Sequence, residues 1–223
     1  MYFFEKVSNS FAAKVSSTLN LDKDREEIIA YGSYNLLQTL WSILALAIFG
    51  IIFDTLLSIL IIAFTVALLR KFSGGAHATS PNRCTLISVI VLGAFSLLLK
   101  YFIPYASITL VILYNVISFI FTFTVLIKLC PVDSPNKPIR KQETRLKFRK
   151  VSFRILFFLF FLSVILWVLY LKIHSVLLLT AIASIFTGML WQSLTMTYAG
   201  HLMINKLDIF IQNIKLVKGG KEG

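Results

Sequence analysis

Polar residues in this chain gather in clusters, and the apolar blocks between them are long enough to cross a lipid bilayer. A spanning helix needs roughly 20 mostly apolar residues, with a range of about 17–25. The first apolar block runs from Leu36 to Leu69 and is interrupted by Gly50 and Asp54. One crossing does not use so much chain, so the pattern predicts a helical hairpin turning near Asp54, with two short arms. A third span is predicted from Cys84 to about Tyr101 and a fourth from about Ser107 to Leu129, with Pro104 between them. The fifth covers Phe153 to Leu171 and the sixth Val176 to about Met196, with Lys172 and His174 marking the turn. The expected fold class is all-α, a polytopic helical bundle of about six transmembrane helices.

Two flanking stretches carry a different period. Phe3, Val7, Phe11 and Val15 recur every fourth residue, with Ser8, Lys14 and Ser16 elsewhere on the wheel. Leu207, Phe210, Ile211 and Ile214 form a similar stripe beside Lys206, Lys215 and Lys218. Both suit amphipathic helices lying at the membrane surface, with packing against the bundle as the alternative. Asp24 with Glu27 three residues later resembles a capping box that opens the helix leading into the first span. Met1 to Asn20 lacks the basic start and continuous apolar stretch of a signal peptide.

Composition removes the soluble alternative. The 223 residues are 57% hydrophobic and 14% charged, where soluble domains carry about 25% charged residues. Mean hydropathy is +0.83. No repeat or low-complexity tract divides the chain, so 1–223 is expected to form a single membrane domain. The formal charge of +12 follows the topology. With the N-terminus inside, segments 1–35, 70–83, 130–153 and 201–223, with Lys128 and Arg154 at helix ends, hold every Lys and Arg except Lys100 and Lys172. Such one-sidedness predicts both termini in the cytoplasm, and a nucleic-acid partner is not needed to explain the charge. Around those segments the chain divides into the 36–69 hairpin, a 70–84 connection, spans three and four over 84–129, and spans five and six over 153–197.

The connection from Arg70 to Cys84 has the least ordinary residue choice: Arg70-Lys71-Phe72-Ser73-Gly74-Gly75-Ala76-His77-Ala78-Thr79-Ser80-Pro81-Asn82-Arg83-Cys84. A thiol nucleophile needs a base to take its proton, and imidazole suits that near neutral pH. On a straight helix seven residues rise about 10 Å, too far for a hydrogen bond. Gly74-Gly75 and Pro81 argue against a straight helix, so the chain can fold His77 back toward Cys84. Ser80 is a candidate N-cap with Pro81 at the first helical position, which puts Cys84 in the first turn of the third span. Free N–H groups there, and the Arg83 charge, suit a thiolate or an oxyanion. The plainer reading makes Cys84 a small apolar residue or an acylation site and His77 a solvated loop residue. No third or fourth ligand has the spacing for a metal, and no cofactor is expected. Two cysteines, Cys84 and Cys130, are too few for a disulfide framework.

Arg70, Gly74-Gly75, His77 and Cys84, placed after an apolar hairpin, resemble the signature of the accessory gene regulator B family (AgrB-like proteins). The resemblance extends over nearly the whole chain, through the amphipathic start, Tyr31-Gly32 before the first span, and Asn136-Lys137-Pro138 in the basic segment. Many members carry a glutamate two residues after the Tyr-Gly, where this chain has Tyr34. The family implies a cysteine endopeptidase of the bacterial cell membrane that cleaves a small AgrD-like precursor peptide in making a cyclic quorum-sensing signal. It maps the catalytic pair onto His77 and Cys84, with a thioester on Cys84 that an internal thiol or hydroxyl captures as a thiolactone or lactone. Arg70, Gly74, Gly75 and Ser80 become supporting or substrate-holding candidates, with snorkelling of Arg70 as its alternative.

The basic run with Lys137, Arg140, Lys141, Arg145, Lys147, Arg149, Lys150 and Arg154 suits anionic membrane lipids. Alternatively, Lys147 and Arg149 dock an acidic precursor segment. Cys130 has no histidine near it in sequence; His174 and His201 receive no role. A homodimer is an open alternative for a small bundle. The rival functions are a peptide transporter or exporter, which few ionisable residues in the spans support, and a membrane scaffold without catalysis.

Overall fold

The computed structural model describes residues 2–133 and 141–219, in which the chain is helical almost throughout. Eight α-helices follow in order: α1 (Tyr2–Leu19), α2 (Lys23–Ile52), α3 (Leu56–Ser73), α4 (Pro81–Phe102), α5 (Ile108–Leu129), α6 (Gln142–Ile173), α7 (Val176–Met196) and α8 (Tyr198–Gly219). A 3₁₀ turn, Ile103–Tyr105, follows α4 at Pro104. Six of them, α2 to α7, are long and apolar enough to cross a membrane. The protein is a multi-pass membrane helical bundle.

Two spans are longer than their apolar blocks. α2 has 30 residues and α6 has 32, about 45 and 48 Å at 1.5 Å per residue, against a hydrocarbon core of about 30 Å. The first arm of the hairpin is therefore not short, because it continues the polar helix that starts at Lys23. The inside segment 130–153 is not a loop throughout: it is helical from Gln142 onward, since its basic residues are good helix formers and Glu143 favours the first turn. Asn136, Lys137, Pro138 and Arg140 lie outside the described residues. The capping expectation shifts by two positions: Asp22, not Asp24, is the N-cap of α2, accepting the Arg25 N–H at 2.9 Å.

α7 is the centre of the bundle. Of its most apolar stretch 67% is buried, against 11% for α2 at the edge. Leu179, Ile182, Phe186 and Met189 of α7 pack with Leu126 of α5 and with Leu156 and Leu159 of α6 in one core cluster. Trp191 joins Ile59, Ile62 and Leu92 in a second. Gly188 lets α3 come close, because a Cβ there would stand 2.7 Å from the Thr65 side chain. Small residues at such crossings suit helices in lipid, where close packing and polar contacts replace the hydrophobic driving force. The Tyr114 and Thr187 hydroxyls pair at 2.7 Å, and Gln38 donates to Thr85 at 3.2 Å.

The two terminal helices expose their apolar stripes unequally. Phe3, Val7 and Phe11 of α1 are exposed, while Ser8, Ala12 and Ser16 are buried. On α8, Phe210 is exposed and Ile211 is buried. The Ile214, Lys215 and Lys218 side chains lie outside the described residues.

Candidate active site

The connection between α3 and α4 is held in an extended, non-helical path by partners far away in sequence. α3 ends at Ser73, so Arg70 belongs to its last turn. Gly74 takes φ 74° and runs beside Val132, whose N–H donates to Ser73 O at 2.8 Å. A Cβ on Gly74 would collide with the Val132 carbonyl oxygen. At Gly75, φ 131°, a Cβ would stand 2.8 Å from Thr195 Oγ1 and 3.3 Å from Gln192 Nε2. Both glycines are thus required by positive φ and by close approach of the C-terminal end of α7 and the segment after α5. Gln192 Nε2 donates to Gly74 O at 2.7 Å and to Ser73 Oγ at 3.0 Å. The Ala76 N–H donates to Thr195 O at 2.9 Å.

α4 opens as its sequence suggests, with Ser80 at the N-cap and Pro81 at the first position, although the Ser80 hydroxyl makes no capping bond. The first intrahelical bond is Cys84 N–H to Ser80 O, 2.9 Å. Pro81 has no N–H, which leaves Asn82 and Arg83 as the donors ahead of that bond. Cys84 is half-buried and its thiol is free.

A crevice of about 280 Å³, counting the solvent at its mouth, brings the connection together with four helices. Arg70, Ala76, Ala78, Cys84, Ser88, Trp191 and Ile204 line it. Arg70 Nε and Nη2 are sealed from solvent and have no hydrogen-bond partner among the described residues. This guanidinium does not snorkel; it is turned inward, and its charge reaches Cys84. His77 is exposed at the rim, between the two alanines that line the crevice. No hydrogen bond joins it to Cys84 among the described residues. Loss of hydration, then the Arg70 charge, then His201 hold the His77 pKa down to about 4, so the imidazole is neutral at pH 7.

Arg83 does not supply the free positive charge expected beside the thiol. Its Nε donates to Asp208 Oδ1 of α8 at 2.5 Å. Burial alone would raise the Asp208 carboxyl, but bonds from Thr79 and Arg83 outweigh it and hold the group below the usual carboxylate range. Arg83 is thereby neutralised, whereas Arg70 is not.

The accessory gene regulator B family profile matches residues 8–196 of the chain. The chain belongs to that family. A relative in Clostridium perfringens (strain 13 / Type A), provisionally named AgrB-like protein 2, is 38% identical over 211 residues, covering 94% of this chain and 99% of the relative. Another, provisionally named AgrB-like in Clostridium perfringens (strain SM101 / Type A), is 36% identical over the same shares of both chains. No solved structure matches. AgrB-family proteins take part in quorum-sensing peptide processing, acting with an AgrD-type precursor.

Among the residues singled out in sequence, Arg70 and Cys84 line one crevice, Gly74 and Gly75 shape the connection that leads into it, and His77 stands between two lining alanines. Lys147 and Arg149 stand on α6. Arg149 Nη2 donates to Ile127 O at 2.8 Å, closing a carbonyl at the end of α5, and the residue is exposed. Lys147 is exposed. Cys130 is buried, and burial pushes its thiol up, as suits an inert structural cysteine. Gln192, Thr195, His201 and Asp208 were not picked out from sequence. Gln192 had a signal, a lone amide in an apolar span. Asp208 is the acidic residue within the apolar stripe of α8.

Proposed function

We propose that this protein is a membrane cysteine endopeptidase that cuts an AgrD-type precursor on its C-terminal side, with Cys84 as nucleophile and His77 as proton acceptor. The observation that carries the reading is the crevice lined by both Cys84 and Arg70, whose Nε and Nη2 have no hydrogen-bond partner among the described residues, with the His77 loop forming one wall. The positive-inside distribution assigns this end of the bundle, and both termini, to the cytoplasm.

His77, neutral at pH 7, takes the Cys84 proton. Sγ attacks a precursor carbonyl carbon, and the electron pair moves to oxygen. The Arg70 charge makes a lasting imidazolium costly, which favours passing the proton on to the leaving amine as the C–N bond breaks. A buried guanidinium without a partner is expensive, and the negative charge that forms at sulfur and then at oxygen supplies one. The N–H groups of Asn82 and Arg83 lie in the same helical turn and add donors. The thioester left on Cys84 is then captured by a thiol or hydroxyl within the peptide. That closes a thiolactone or lactone and returns a proton to Cys84.

The test uses protein in liposomes with candidate precursor peptides, comparing wild type with Cys84→Ala and His77→Ala, and mass spectrometry to follow the released fragment and the Cys84 adduct. Either substitution is expected to abolish cleavage. Cleavage that persists in Cys84→Ala overturns the mechanism.

A further inference from the structure

The family profile ends at residue 196, yet the helix beyond it forms part of the site. His201, Ile204 and Asp208 of α8 recur at helical spacing and lie on one face. Ile204 lines the crevice. Asp208 is only 2% exposed. Its Oδ2 accepts the Thr79 N–H at 3.1 Å and the Thr79 hydroxyl at 2.6 Å. Oδ1 accepts Arg83 Nε at 2.5 Å, and Arg83 Nη2 donates to Thr79 Oγ1. One carboxylate therefore grips the residue two after His77 and the residue immediately before Cys84.

Resting on the endopeptidase reading, we infer that α8 is a wall of the active site and that Asp208 is a positioning residue, fixing His77 relative to Cys84. A carboxylate is suited to this task. It accepts three hydrogen bonds at once and balances the Arg83 charge, whereas an amide in its place has one acceptor oxygen and cannot neutralise a guanidinium. Removing the carboxylate loosens the 77–84 spacing and leaves the Arg83 charge uncompensated beside Cys84 in sequence.

The experiment measures alkylation of Cys84 by iodoacetamide at pH 7 in the full chain, in liposomes, on a Cys130→Ser background. His77→Ala is expected to slow the reaction roughly tenfold or more if the base assists the thiol. In Asp208→Asn the same His77→Ala change should have almost no further effect, while Asp208→Glu should restore most of the His77 dependence. This is a double-mutant cycle, and its coupling, not overall stability, is the readout. With precursor present, Asp208→Asn should lower kcat and leave KM within about twofold. Thr79→Val, which removes both bonds of the hydroxyl (to Asp208 and from Arg83) and keeps the Arg83–Asp208 ion pair and the Thr79 N–H bond, should give an intermediate coupling and serves where Asp208→Asn does not insert. Undiminished His77 dependence in Asp208→Asn and Thr79→Val overturns the positioning role and leaves the endopeptidase reading intact. If His77→Ala has no effect even with Asp208 present, the catalytic pair itself fails and the inference falls with it.

Discussion

The two ends of the bundle are built on different principles. At the end that carries Asp54, the chain turns between α2 and α3 within three residues, chiefly on local bonds. Phe53 N–H donates to Phe49 O at 3.1 Å and Thr55 N–H to Gly50 O at 2.7 Å. Asp54 adopts φ 53°, and its side chain is 93% exposed. The α6–α7 turn at the same end is also short, with His174 in the left-handed region. At the other end, the 74–80 connection is held by bonds between residues 118 to 129 positions apart. Local turns suffice to reverse a helix. Long-range clamps are needed where backbone must stay extended beside a crevice, as the proposed chemistry at that end would require of its side chains.

The largest break in this contrast should come from Gly74→Ala. The new Cβ meets a backbone oxygen rather than a flexible side chain, and the residue has positive φ, so the connection must move. A cost of roughly 3 kcal/mol or more is expected from the combined clash and strain. Cleavage in liposomes should disappear while the protein still inserts. Normal processing in Gly74→Ala would mean that the path of the connection does not matter.

Gln192→Leu should come next. It keeps an apolar α7 but leaves Gly74 O without its amide donor, at a cost of about 1–3 kcal/mol for a buried unsatisfied group. Thermal unfolding in detergent should drop by several degrees, with processing reduced more than abolished. An unchanged melting temperature would show that the amide clamp contributes nothing.

The six spans were legible because hydropathy and length dictate them: lipid forces each crossing to satisfy its backbone internally. The turns near Asp54 and His174 were legible for the same reason, as polar breaks in apolar runs. Helical extensions such as Gln142 to Lys150 were not, since a polar helix outside the bilayer and a polar loop have the same hydropathy. In the site, Gly74, Gly75, His77 and Cys84 stood out because their types are rare in a membrane connection. The partners of those residues did not, because Gln192, Thr195 and Asp208 reach the connection through tertiary packing, which no local spacing encodes. Arg83 shows the cost of that gap, for it reads as a free cation beside Cys84 until Asp208 is seen to hold it.

A smaller effect is expected from pH, since His77 is exposed. Its pKa is about 4 in the folded chain and about 6.5 when unfolded. Between those values the unfolded state binds more protons, so stability rises with pH and is lost as pH falls from about 6.5 toward 4. His77→Gln should flatten the dependence of the melting temperature in that window without changing it above pH 7. An equal slope in both proteins would place the titration elsewhere.

The smallest effect should come from Asp54→Asn at the opposite end. The substitution removes the charge that meets Lys100 Nζ at 3.3 Å, in a pair whose carboxylate is almost fully in solvent. Such pairs contribute about 0–1 kcal/mol. Asparagine tolerates the left-handed conformation as well as aspartate does, and Lys100 keeps its bond to Phe53 O at 2.9 Å. The melting temperature should shift by no more than about 4 °C, with precursor cleavage unchanged. A loss of processing in Asp54→Asn comparable to that in Gln192→Leu would erase the distinction between the two ends, because a local turn would then govern chemistry across the whole thickness of the bundle.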